Sequence, residues 1–250
     1  MSLFSLQGYV HIGARLVTGK PGVLPWVGNA PECKLALKTA TTDKNESYSG
    51  SRLQIGRLQR DKTATITLSL DEFSLANLAM GLYGDVTNIV SGTVTAEPLP
   101  PGLVAGDSVK LDNPFVTSVV IHDSAVAPVL VDASKYRVER AGRGGLITML
   151  DVTGFTQPFT ADYSYASKNN LAMFSAAPKQ RYFMLDGVNT EDDTPVIVEL
   201  YKVQFDPISE APLINPDYGT LQMVGSALAD PLAAVDPLLG QFGRMIQKAA

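Results

Sequence analysis

Polar and apolar residues alternate with period two along most of the chain. In TATITLSL, residues 63–70, Ala64, Ile66, Leu68 and Leu70 fall on one face while Thr65, Thr67 and Ser69 fall on the other. That is the pattern of a half-buried strand. Similar short strands are predicted in SLQGYVHIGARL, ECKLALKTA, SVVIHD, ADYSYAS, RYFMLDG and PVIVELYKVQF, most of them separated by Gly, Pro, Asn or Asp turns. Strands recurring in this way with few helices argue for a sandwich or barrel.

Two segments change period. DEFSLANLAMGLYG places Asp71 as N-cap, Leu75, Leu78, Ala79 and Leu82 at helical spacing, and Gly84 where a helix would end, which predicts a short helix packed on the sheet. Near the end, DPLLGQFGRMIQKAA offers Asp236 as cap and Pro237 at the first helical position, with Leu238, Leu239, Phe242, Met245, Ile246 and Ala249 at helical spacing. Gly240 and Gly243 inside it each cost roughly 1 kcal/mol against Ala, so this predicted helix needs a surface to dock on.

One stretch has no apolar period of either kind. TTDKNESYSGSRLQIGRLQRDK, residues 41–62, reads as a long polar loop directly before the clearest strand. Loops of that length in compact domains are disordered or functional. The middle of the chain, from about 92 to 167, opens with TAEPLPPG and continues through short strand-like pieces, with a turn at Asp132–Tyr136 and glycines at 142, 144 and 145. It reads as a small β domain inserted into a discontinuous core of residues 1–91 and 168–250.

Composition narrows the class. With 250 residues, 45% hydrophobic and 18% charged, the chain is an ordered globular protein able to bury a sizeable core. Its net charge of −5 and pI near 5.0 oppose adhesion to nucleic acid. Residues 92–167 hold five basic and eight acidic residues, so the inserted unit has no basic excess either. Cys33 is the single cysteine, which rules out an intrachain disulfide framework. The opening MSLFSLQGYVHIGAR lacks a basic region ahead of its apolar residues, and the expectation is a soluble protein outside the usual secretory route, with no membrane partner.

Candidate chemistry is sparse. GARLVTGKPG departs from a phosphate-binding loop twice: five residues separate Gly13 from Gly19, and Pro21 stands where Ser or Thr would hold magnesium. GRGG at 142–145 lacks the third glycine and helix of a dinucleotide fingerprint. His11 and His122 each lie in a strand-like run, and one cysteine allows no zinc spacing. Glu191, Asp192 and Asp193 sit together without the alternating ligands of a calcium loop and read as a solvated turn. No serine stands in GxSxG. The triplet Asn45, Glu46, Ser47 would be glycosylated only in a secretory compartment. The expectation is therefore no catalytic residues, no metal site and no cofactor, and the weight moves to a structural or binding role.

The order of parts resembles the tail tube proteins, or major tail proteins, of long-tailed bacteriophages. The resemblance is carried by an N-terminal strand, a Gly/Pro loop through VLPWVGNAPECKLALK, the long polar loop, TATITLSL and DEFSLANLAMGLYG. It continues through the inserted unit with LVDASKYRVE and ADYSYA, resumption at RYFMLDGVNTEDDTPVIVELYKVQFDP, and the close LQMVGSALADP. It covers nearly the whole chain. The resemblance implies a mainly β tail-tube fold, a sandwich or barrel with one flanking helix, the inserted β domain and the C-terminal helix, similar in architecture to type VI secretion tubes.

It further implies copies of the chain joined into rings, commonly homohexamers, stacked into a conduit through which double-stranded DNA passes without specific binding. The expected partners are copies of itself, a tape measure protein and tail tip or terminator proteins, and the expected place is the virion tail, assembled in the host bacterial cytoplasm. In the family the polar loop reaches a neighbouring subunit or ring, which assigns Lys44, Asn45, Glu46, Tyr48, Arg52, Arg57 and Arg60 to inter-subunit docking. Trp26 is a candidate interface anchor. A different class remains open: a carbohydrate-binding β-sandwich in which Trp26, Tyr163 and Tyr165 supply stacking faces.

Overall fold

The computed structural model describes residues 3–233 and 236–248. Its contacts divide the chain into one unit of residues 1–85 and 171–250 and a second of residues 86–170. The sequence alone places these boundaries at 91 and 168.

The first unit begins with β1 (Leu6–Ala14), β2 (Glu32–Asn45), β3 (Gln54–Leu70) and α1 (Leu75–Gly81). The second holds β5 (Gly92–Pro98), β6 (Ser108–Lys110), β7 (Val116–His122), β8 (Leu130–Val131), β9 (Tyr136–Val138), β10 (Leu146–Met149) and β11 (Thr160–Tyr165), while β4 (Asp85–Ile89) and β12 (Lys168–Ala172) run across its two boundaries. Back in the first unit come β13 (Arg181–Asn189), β14 (Thr194–Phe205), β15 (Leu221–Ala227) and β16 (Gly243–Gln247). Both fold as mainly β structures, as the alternation requires.

The first unit is one antiparallel sheet in the order β1-β13-β14-β15-β3-β2, with β16 added to β14. Pairing runs Ala64 to Leu70 of β3 against Ala227 to Leu221 of β15, so Ile66, Leu68 and Leu70 enter the core together with Leu221 and Met223. Val10, Ile12, Phe183, Val203 and Phe205 complete that core from the other strands. Burying side chains of this size contributes roughly 1.5–3 kcal/mol apiece. On the opposite face of the sheet, Tyr182 and Tyr201 are covered by Ala233 and Leu239. Arg15 clamps this covering segment by donating from Nε and a terminal nitrogen to Asp230 at 3.0 and 2.8 Å, and Tyr201 donates to Leu239 O at 2.8 Å.

Three local expectations are corrected. The helix is capped by Ser74, whose hydroxyl accepts from Asn77 N at 3.2 Å, while Asp71 accepts from Asn29 instead. Its buried residues are Asn77, Met80 and Gly81 rather than the Leu75/Leu78/Ala79/Leu82 face, because Asn77 Nδ2 turns inward to donate to Val27 O at 2.8 Å and Glu72 O at 2.9 Å. There is no C-terminal helix over the described residues. Asp236 Oδ1 accepts from Leu238 N in a turn, Gly240 takes φ +72°, and Gly243–Gln247 pairs with β14 from Leu200 to Val196. A Cβ on Gly243 would lie 2.1 Å from Glu199 O, so the residue that weakened a helix is the one that lets this strand approach. Ala249, assigned to that helix, lies outside the described residues.

The second unit packs the four-stranded sheet β5-β11-β7-β8 and the three-stranded sheet β6-β10-β9 around Leu111, Ile121, Ile147, Met149 and Phe159. Gly145, at φ +66°, makes the GRGG turn, where a Cβ would meet Asn113 O at 2.3 Å. Asp123 is buried beneath the loop to β8, accepting from Val129 N at 2.6 Å, Thr156 N at 3.2 Å and Ala125 N at 3.3 Å. The Val129 amide first, then those of Thr156 and Ala125, hold its carboxyl below the usual carboxylate range. The strands through which the chain enters and leaves this unit, β4 and β12, pair with each other.

Candidate assembly interface

The stretch read as a long polar loop is a β-hairpin. β2 and β3 stay paired from Glu32↔Ser69 to Asn45↔Gln54, with irregularities at Thr39/Thr41 and Lys44/Asn45. Thr39, Thr41, Thr42 and Thr63 supply β-branched stiffness, and Gln, Arg and Lys tolerate water on both sides of the ribbon. Only residues 64–70 of β3 have β15 on their second edge. From Thr63 outward the hairpin stands alone, and every side chain in Lys38–Asn45 and Leu58–Thr63 is exposed. At about 3.3 Å per residue, the ten residues 54–63 reach some 30 Å past the sheet.

The tip is built, not frayed. Glu46 N donates to Leu53 O at 2.8 Å, and the Glu46 carboxylate accepts from Ser49. Gly50 and Arg52 take φ of +81° and +52° to complete the turn. Glu46 is therefore only 5% exposed and shapes the tip, although the sequence places it among the docking residues.

Of the other assigned residues, Lys44, Asn45, Tyr48, Arg52 and Arg60 are exposed along this arm. Arg57 lies against Asp43, its directly opposed partner, at 3.5 Å and donates diagonally to Thr41 Oγ1 at 3.3 Å. The arm also exposes Leu53, Ile55 and Leu58. Over residues 38–63 it holds six basic and three acidic residues, a net +3 on a chain of −5.

Trp26 is not part of the arm. It bridges His11 on β1, the terminal strand at the other side of the sheet order, and stands edge-on to Tyr9 with ring centroids 5.6 Å apart. Both rings are more than half exposed. Of the other two rings in the carbohydrate reading, Tyr163 is buried and hydrogen-bonded to Glu97 and Asn113, and Tyr165 carries Lys168 Nζ 4.9 Å from its ring centroid.

The remaining polar candidates are locally satisfied. His11 Nδ1 meets Leu24 O at 3.0 Å, and His122 Nε2 lies 3.4 Å from Asp162. Asp192 accepts from Asn189 and from Thr194 N within the β13–β14 turn. Among the described residues, no group of three or more His, Cys, Asp or Glu is placed to hold a metal ion, and no helix is long and apolar enough to cross a membrane.

Residues 3–246 match the family described as Protein of unknown function UCP028589. The chain belongs to this family. The UCP028589 match runs through the hairpin arm, the whole second unit and all but the last residue of β16. No curated protein matches the chain.

Proposed function

We propose that this protein is a structural subunit that assembles with copies of itself into stacked rings, forming the tail tube of a long-tailed bacteriophage. The observation that carries the reading is the β2–β3 arm, a two-stranded ribbon that leaves its sheet with both faces in water and with Tyr48, Leu53, Ile55 and Leu58 exposed. A lone hairpin is marginally stable in water, so an arm of this length is best explained by a partner that covers it. β2 is also the last strand in the sheet order, which leaves a row of N–H and C=O groups for another strand. Identical subunits meeting through different patches make rings or filaments, the geometry a conduit needs.

The acidic balance of −5 suits a bore through which DNA slides without being held. The tape measure, tail tip and terminator proteins are the partners this role implies, and the virion tail is the place. Negative-stain microscopy of the concentrated protein tests the reading: rings or tubes are expected, and monodisperse single particles at every concentration would overturn it.

A further inference from the structure

The arm has a chemically complementary counterpart on its own chain. Residues 206–220 connect β14 to β15, neighbouring antiparallel strands whose pairing ends at Phe205↔Gly225, four residues short of Leu221, so about six residues would complete the return. A fifteen-residue connection is longer than the topology needs, and loops of that length are functional or disordered. Its base is fixed, with Asp206 N donating to Val224 O at 2.8 Å and Ile208 N to Gly81 O at 2.9 Å. Beyond that base, Leu213, Ile214 and Tyr218 are each at least 90% exposed. Asp206, Glu210 and Asp217 are exposed beside them, and no Lys or Arg occurs between Lys202 and Arg244. The loop folds around a cleft of about 610 Å³ lined by Glu210, Pro212, Asn215, Tyr218 and Gln222.

The arm mirrors this surface with opposite sign. Lys44, Arg52 and Arg60 are exposed alongside Tyr48, Leu53 and Ile55, and the arm's net charge is +3 where the loop's is −3. The two surfaces sit at opposite ends of β3. The arm departs beyond Ala64, whereas the loop arrives at Leu221, the partner of Leu70. From Gln54 to Leu70 the strand spans roughly 50 Å, so a copy cannot dock its own arm on its own loop.

We infer that the basic arm of one copy docks on the acidic, apolar 206–220 loop of the next, head to tail. This rests on the self-assembly reading above and names the contact. Apolar side chains from both sides bury one another, and the charges steer the approach and fix which end of a neighbour is recognised. Because donor and acceptor are different patches at opposite poles, each docking leaves one free arm and one free loop, and association continues instead of stopping at a dimer.

The test places p-benzoylphenylalanine at Tyr48 in the full chain, mixes ¹⁴N- and ¹⁵N-labelled protein at high concentration, and maps crosslinked peptides after irradiation. Mixed-isotope crosslinks into residues 206–220 are expected. Mixed-isotope crosslinks that fall elsewhere overturn the docking partner while leaving self-assembly standing. A strictly monomeric, uncrosslinked protein overturns both.

Charge exchange provides the second arm of the experiment. Asp206→Lys, Glu210→Lys and Asp217→Lys together weaken association by about tenfold or more, and adding Lys44→Glu, Arg52→Glu and Arg60→Glu restores it. A six-site variant as weak as the three-site one, with native circular dichroism, would overturn the pairing.

Discussion

The two halves of β3 share one continuous backbone, one partner in β2 and similar polar residues, yet they meet opposite fates. Residues 64–70 have β15 on their second edge and send Ile66, Leu68 and Leu70 into the core. In residues 54–63 no second strand arrives, and Ile55 and Leu58 stand in water. The inner half is held by its own unit. The outer half has the hydrogen-bonded geometry of a sheet without the burial that makes sheets stable. A strand that is finished at one end and unfinished at the other is the feature on which the proposed assembly rests.

The contrast can be broken most completely by removing the outer half. Replacing residues 40–61 with Asn-Gly, a two-residue turn joining Thr39 to Lys62, abolishes assembly while leaving unfolding free energy within about 1 kcal/mol of the parent. Electron microscopy and urea titration read the two effects, and a variant that still makes tubes would remove the arm from the account.

Next in size, Leu68→Ala in the inner half costs about 2–5 kcal/mol by denaturation, since its side chain is fully buried. Leu58→Ser in the outer half changes monomer stability by less than about 0.5 kcal/mol and instead weakens association, measured by sedimentation.

Ion pairs sharpen the same distinction. Arg15 and Asp230 are 12% and 1% exposed, and Arg15→Ala, which strands the buried carboxylate, costs about 3–5 kcal/mol. Arg57 and Asp43 on the arm are 63% and 49% exposed, and Arg57→Ala costs less than about 1 kcal/mol. Equal costs at the two sites would mean that the arm is packed within the monomer.

Burial also decides what is legible in the sequence. The inner half announced itself in TATITLSL because one of its faces is buried and alternation is visible only when burial selects residues. The outer half was read as a loop because a ribbon wet on both faces selects no apolar side. The threonines and the QIGRLQR spacing were the available signal, and the arm's candidate residues were recognised without their secondary structure.

At the C-terminus, Leu238, Leu239, Phe242, Met245 and Ile246 fit helical spacing, but Gly240 and Gly243 were the better guide, marking a turn and a close strand approach. Ser74 displaced Asp71 as helix cap because it stands three residues before Asn77, whose amide it caps. The 206–220 segment carried its own hint in Leu213 and Ile214 among prolines and acids, but its position opposite the arm depends on the Leu221↔Leu70 register, which no local pattern encodes.

The smallest expected effect provides a reference outside the comparison. In the second unit, Val129 and other backbone amides depress the Asp123 carboxyl, and Arg137 and then Thr148 depress that of Glu139. A depressed native value means stability that is fully present above the ordinary carboxylate range, about pH 4, and is lost as pH falls through the native values. Hydrogen-exchange protection factors over residues 116–131, taken relative to the intrinsic rate at each pH, should fall below about pH 4, and protection factors unchanged to about pH 2 would contradict that sign.

Sedimentation velocity of the full chain over rising concentration tests the central claim most directly. The account predicts that the 26.7 kDa monomer gives way to a continuing series of larger species, and that excising residues 40–61 collapses the series to monomer. A single monomeric boundary at every concentration would contradict it.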